Sequence, residues 1–225
     1  VPLTAVNFTY LVASALFILG LRGLTHPRTA VRGNLLGATA MLLAVVATLL
    51  DRRIVGFTTI AAGLVLGAAI GAALARRIQM TAMPQLVALL NGFGGAASVL
   101  VAGAARLESG LTADMPGVEV VLATAASGVI GAVTLSGSAI AFGKLQGLID
   151  EGSIRLPGQN AFNVLIAVAV AGLVVWALVA PDAQGFYPAI VVVSLVLGVS
   201  LVLPIGGADM PVVIALLNSY SGLAA

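Results

Sequence analysis

Eight long apolar stretches, each closed by a short polar or glycine- and proline-bearing break, constrain this chain more than any other feature. They run Ala5–Leu21, Leu35–Leu50, Ile54–Ala75, Pro84–Ala105, Val118–Leu145, Phe162–Ala180, Tyr187–Leu203 and Pro211–Ala225. A helix needs about 20 mostly apolar residues to cross a bilayer core. Within lipid every backbone N–H and C=O must be paired by the protein itself, which leaves helices and closed barrels. These stretches are rich in Ala, Leu and Gly and lack the period-two alternation of a barrel strand. The expected fold is all-α: a polytopic transmembrane helix bundle of eight spans over residues 1–225, with no soluble domain. Composition agrees, with 60% apolar and 8% charged residues. A soluble domain carries roughly 25% charged residues, so this chain is no ordinary soluble enzyme, nucleic-acid binder or disordered segment. Cys is absent and His occurs once, which removes disulfide and thiolate–metal chemistry and leaves no metal centre to expect.

Charge placement predicts the topology. The breaks after spans 1, 3, 5 and 7 hold Arg22, Arg28, Arg32, Arg76, Arg77, Lys144 and Arg155, whereas the others hold only Arg52, Arg53 and Arg106. The positive-inside rule puts the first set in the cytoplasm and the N-terminus outside. The eighth stretch is short and still apolar at Ala225, so a ninth span is expected beyond it. His26 sits in the first break and receives no role, and Trp176 and Tyr187 read as membrane-interface residues.

No Asp, Glu, Lys, Arg or His falls inside a span; Glu119, Lys144 and Asp209 lie at span ends. Ionisable residues at depth usually mark an ion pathway. Here the buried polar candidates are amides and hydroxyls, which pass protons along hydrogen bonds but do not titrate near neutrality. A titrating group must then come from another chain or from the edge of the bundle.

Two stretches repeat. MPQLVALLNGFGGAA (Met83–Ala97) and MPVVIALLNSYSGLA (Met210–Ala224) match at eight of fifteen positions, at a constant offset of 127. The match pairs Pro84 with Pro211, Asn91 with Asn218 and Gly95 with Gly222. Pro suits a first helical turn, and seven residues on, each Asn lies ~10 Å along its helix. Either the amides glue helices by an interhelical bond or they hold water at one level. Thr124, Ser127, Gly131, Thr134 and Ser138 share one face of span 5 by their three- and four-residue spacing. That face reads either as close packing or as the lining of a wet seam. Gly63, Gly67 and Gly71 read as a packing face. Asp209 stands in a glycine turn ahead of the Asn218 stretch, as a helix cap or as a contact for a soluble partner.

RGNLLG (Arg32–Gly37), MTAMPQLVALLN (Met80–Asn91), GAVTLSGSAIAFGKLQG (Gly131–Gly147) and GGADMPVVIALLNSYSG (Gly206–Gly222) closely resemble the membrane domain of the β subunit of proton-translocating NAD(P) transhydrogenases. The resemblance implies a membrane domain that conducts protons and couples them to hydride transfer between NAD(H) and NADP(H) on soluble domains. It implies nine spans followed by an NADP(H)-binding domain, so that these residues carry no nucleotide site, no bound cofactor and no catalytic or metal-ligating residue. It implies a bacterial inner (cytoplasmic) membrane and a multi-pass chain in a homodimeric complex with no nucleic acid. Asn91 falls where many relatives have a titratable His, which implies an α-type membrane subunit supplying that His. The implied proton path is Asn91, Ser138 and Asn218 with Ser127 and Thr134, and Asp209 meets the NADP(H) domain. The rival readings are a secondary transporter subunit, which would want a broken-helix site at the midplane and an ionisable group there, and a purely structural membrane subunit.

Overall fold

The computed structural model describes residues 3–50, 57–109, 117–180 and 185–224, and among them the secondary structure is helical with no strand. Eight α-helices follow in order: α1 (Leu3–Leu24), α2 (Ala30–Leu49), α3 (Phe57–Arg77), α4 (Met83–Ser109), α5 (Val118–Leu145), α6 (Gln159–Val179), α7 (Phe186–Val202) and α8 (Met210–Ala224). The first six are each long and apolar enough to cross a membrane. The last two are shorter, 17 and 15 residues, or ~26 and ~23 Å at 1.5 Å per residue. They pass the same test only as a pair, with a bend of 112° between them. The described chain thus has six to seven candidate spans where the hydropathy reading expects eight. The reason is local: Pro204, Gly206 and Gly207 break the apolar run, and the chain turns there. Arg52 and Arg53, two charges in the topology count, lie outside the described residues.

The chain divides into two compact units, Val1–Arg76 and Arg77–Ala225. In the first, α1 and α2 form a hairpin whose backbones touch through glycine: a Cβ on Gly33 would lie 2.7 Å from Gly20 O, and one on Gly23 2.8 Å from Gly33 Cα. Thr29 Oγ1 donates to Gly23 O at 2.6 Å and closes the turn. At the other end Tyr10 and Thr48 hydroxyls pair at 2.8 Å. Helix α3 has no buried residue, and the Gly63, Gly67 and Gly71 face meets nothing within 4 Å among the described residues.

In the second unit α5 is central and touches α4, α6, α7 and α8. Its sequence makes this possible, because Gly128, Gly131, Ala132, Gly137 and Ala141 leave room for neighbouring backbones. Two apolar clusters result. One gathers Ala102, Val121, Ala125, Ala177, Phe186, Tyr187 and Ile190. The other gathers Ala88, Ala141, Val202, Met210, Ile214 and Leu217. Tyr187 is buried as part of the first cluster. Its ring faces Gly103 of α4 and Gly128 of α5, where added Cβ atoms would lie 3.1 and 2.9 Å from it, and its hydroxyl donates to Val99 O at 2.5 Å. Trp176 is half-exposed on α6.

Candidate functional site

Between the two clusters a polar band crosses α4, α5 and α8. Pro84 opens α4 and has no N–H to leave unpaired in the first turn. Two turns on, Asn91 faces α5, 8% exposed, and its Nδ2 donates to Ser138 Oγ at 3.0 Å. Ser138 is fully buried. This bond leaves the serine proton and the amide oxygen for further partners. One turn back along α5, Thr134, also fully buried, pairs its hydroxyl with Ser221 Oγ of α8 at 3.0 Å. Ser221 donates to Leu217 O at 3.0 Å, so Thr134 supplies the proton of the shared bond. Thr134 and Ser138 are ~6 Å apart along the axis, the span of one bridging water.

Glycine brings the helices close enough for these bonds. A Cβ on Gly95 would sit 2.6 Å from Gly131 O and 2.7 Å from Leu135 N. Beside the band, a cavity of about 140 Å³ is lined by Ala88, Leu89, Gly92, Phe93, Leu135, Ser138, Ala139 and Phe142. At ~30 Å³ per water it has the volume of a few water molecules, with Ser138 as its polar wall.

Of the residues singled out in the sequence, Asn91 therefore meets Ser138, and Thr134 meets Ser221. Asn218 joins neither pair. It is exposed, and its side chain makes no hydrogen bond among the described residues. The two repeat copies enter alike, each after a 3-10 turn (Met80–Ala82 and Gly207–Asp209) with matching backbone angles at the following Met. They then bury different faces. Helix α4 buries Ala88, Asn91, Gly92 and Gly95; α8 buries Met210, Ile214 and Leu217, with Ser221 half-buried on the same side. In the repeat register the α8 face is displaced by one residue, ~100° around the helix. The equivalents of the α4 face, Ala215, Asn218, Ser219 and Gly222, are all exposed.

Ser127 and Thr124 line a groove of about 500 Å³ with Ser98, Ala102 and Val120, farther along α5. Asp209 is exposed in its 3-10 turn; its backbone N–H donates to Gly206 O at 3.1 Å, and its carboxylate caps no helix among the described residues. His26 is exposed in the α1–α2 turn, with Nδ1 3.0 Å from Thr25 O.

One residue escapes the sequence reading. Lys144, counted as a charge in a break, is in the last turn of α5 and fully buried. Its Nζ donates to Gly152 O at 2.6 Å, Leu203 O at 2.9 Å and Ile205 O at 2.8 Å. Three N–H groups meet three carbonyls, so the burial leaves no donor unpaired. Spacing alone offers one hint: Gly137 and Lys144 are seven apart, on the face that α7 covers at Val202.

Residues 6–225 match the family described as NAD(P) transhydrogenase beta subunit. Two curated relatives named NAD(P) transhydrogenase subunit beta, both from Rhodospirillum rubrum, are 42% identical over 224 residues. The alignment covers 96% of this chain and 47% of each relative, so the chain spans about half the length of the relatives it matches. The repeated MP…ALLN segments and the helix that holds the polar band both fall within the matched residues. With nearly its whole length inside the match, the chain belongs to the NAD(P) transhydrogenase beta subunit family.

Proposed function

We propose that these residues are the proton-conducting membrane domain of a NAD(P) transhydrogenase, coupling proton movement to hydride transfer between NAD(H) and NADP(H) on soluble domains outside this chain. The observation that carries the reading is the band itself: Asn91 bonded to Ser138 and Thr134 bonded to Ser221, held between two apolar clusters. In a bundle this apolar, such a row is the natural place for water and proton passage. Protons pass along amide and hydroxyl hydrogen bonds while the neighbouring apolar clusters limit free leakage. Asn218 extends the path from the exposed face of α8, and Ser127 from the groove farther along α5.

An amide cannot gain and lose a proton near neutral pH. The titrating group in this account is a His on an α-type membrane subunit. The exposed Ala215–Asn218–Ser219–Gly222 face supports that assignment, because it leaves a small-residue surface with a polar centre for a second helix. Asp209, exposed at the α7–α8 corner, meets the NADP(H)-binding domain on the cytoplasmic side. The account includes eight spans in these residues, with α7 and α8 crossing as two short helices, and a ninth beyond them. It also includes an external N-terminus, a bacterial inner membrane and a homodimeric complex.

The test is proton pumping by the complete complex in vesicles. Asn91→Ala is expected to cut pumping by about tenfold or more, in the range of a lost proton-transfer group. Gly67→Ala, on an open face, stays near wild type. Equal pumping by Asn91→Ala and wild type would remove Asn91 from the path.

A further inference from the structure

The last turn of α5 grips the entry of both repeat copies. Lys144 Nζ holds Leu203 O and Ile205 O, the carbonyls of the corner that leads into the 3-10 turn Gly207–Asp209 and α8. The next residue, Leu145, accepts at its carbonyl from Gln85 Nε2 in the first turn of α4, at 3.0 Å. The α5–α6 loop is stitched to the same corner. Gly152 O is the third acceptor for Lys144, Ser153 Oγ donates to Pro204 O at 2.5 Å, and Gly207 N donates to Glu151 O at 2.8 Å. Among the described bonds from α5, those of Lys144 reach the corner carbonyls Leu203 O and Ile205 O directly, whereas the loop joins the corner on one side and Gly143 O of α5, through Leu148 and Ile149 N–H, on the other. Six residues back along α5 lies Ser138, and ten back lies Thr134.

We infer that Lys144 is a positioning residue for coupling: it makes the Asp209 corner and the end of α5 move as one body. A partner's pull on the corner then displaces Ser138 and Thr134 against α4 and α8. Without this tie, the corner is held to α5 by the loop and by apolar packing alone, contacts that can slip along the helix. The ammonium suits the task physically. Three charge-assisted bonds hold it in a fully buried site, and breaking any one of them would leave a buried donor unpaired. A tie of this kind transmits displacement rather than yielding to it.

The inference rests on the proposed proton-coupling function, so its test separates the two. The complete complex is reconstituted in vesicles, and protons moved per hydride transferred are measured together with uncoupled hydride exchange. Lys144→Met keeps the length of the stem and removes the donors. It is expected to lower protons per hydride about fivefold or more, the scale of a lost coupling free energy, with hydride exchange retained. Ser153→Ala loosens the same corner without touching α5 and should keep the ratio within about twofold. A Lys144→Met complex with the wild-type ratio, or an equal loss in both variants, overturns the inference. Should the wild-type complex move no protons during hydride transfer, the function itself fails; should it pump, and Lys144→Met keep the wild-type ratio, only the role of Lys144 fails. If Lys144→Met does not accumulate in membranes, hydrogen exchange on the wild-type complex decides. On adding NADPH, the amides of Gly207 and of Leu148 and Ile149, which donate to Glu151 O and Gly143 O, should change protection together. Independent responses of the two segments would contradict the tie.

Discussion

Asn91 shows how little an amide in an apolar bundle needs: one hydroxyl, 3.0 Å away, answers its donor. Interhelical bonds of this kind contribute ~0.6–2 kcal/mol in membranes. Removing one partner leaves a buried group whose cost is ~1–3 kcal/mol. Ser138→Ala should therefore assemble normally and still slow proton pumping. Tyr187 provides the contrast, since its hydroxyl bonds Val99 O inside the first apolar cluster, away from the band. Tyr187→Phe is expected to lower stability by about 1 kcal/mol and to leave pumping unchanged, as thermal unfolding and a vesicle assay would report. A pumping defect in Tyr187→Phe as large as that in Ser138→Ala would mean the band has no special role. Spacing exposed Asn91, Thr134 and Ser138, because a helix repeats its faces every three to four residues and hydroxyls stand out in an apolar run. Lys144 stayed hidden. A lysine near a helix end ordinarily anchors at the membrane surface, and its three carbonyls come from two distant segments folded over it, Gly152 of the α5–α6 loop and Leu203 and Ile205 of the α7–α8 corner.

The repeated helices α4 and α8 begin alike and pack differently, and their paired glycines make the difference measurable. At Gly95 a methyl group would strike Gly131 O and Leu135 N, backbone atoms that cannot rotate away. Gly95→Ala should destabilise the α4–α5 contact by ~1–3 kcal/mol or more. At Gly222 nothing lies within 4 Å, so Gly222→Ala should be neutral or stabilising by ~0.5–1 kcal/mol through helix propensity. Thermal unfolding of this chain in detergent, without the α-type subunit, reads both signs; a destabilised Gly222→Ala there would mean that α8 packs through that face within the chain. The shared entry was readable from the two Met–Pro pairs, which fix the first turn of each helix. The ~100° difference in buried face was not. It depends on which neighbours surround each helix, and identical residues carry no record of that. Hydropathy likewise found the apolar runs of α7 and α8, but not the 112° turn between them, because a window average does not register direction.

For the molecule as a whole, the family and the helical membrane architecture followed from features that lipid enforces: long apolar runs, few charges and a small set of specific motifs. Its orientation across the bilayer is open to a direct test, made simpler by the absence of Cys from these 225 residues. With the positive loops in the cytoplasm, a membrane-impermeant maleimide applied to intact cells should label Glu108→Cys and spare Arg155→Cys; the reverse pattern would invert the topology. Proton passage through uncharged groups is the claim on which the rest depends. Its most direct test is gradient-driven NADPH formation by the complete complex in proteoliposomes carrying the double variant Asn91→Leu, Ser138→Ala. Such a dry band should lose tenfold or more of the gradient-driven rate, about the contribution of a proton-transfer step, while hydride exchange without a gradient stays within about twofold. A double variant that keeps half or more of the gradient-driven rate would contradict the account.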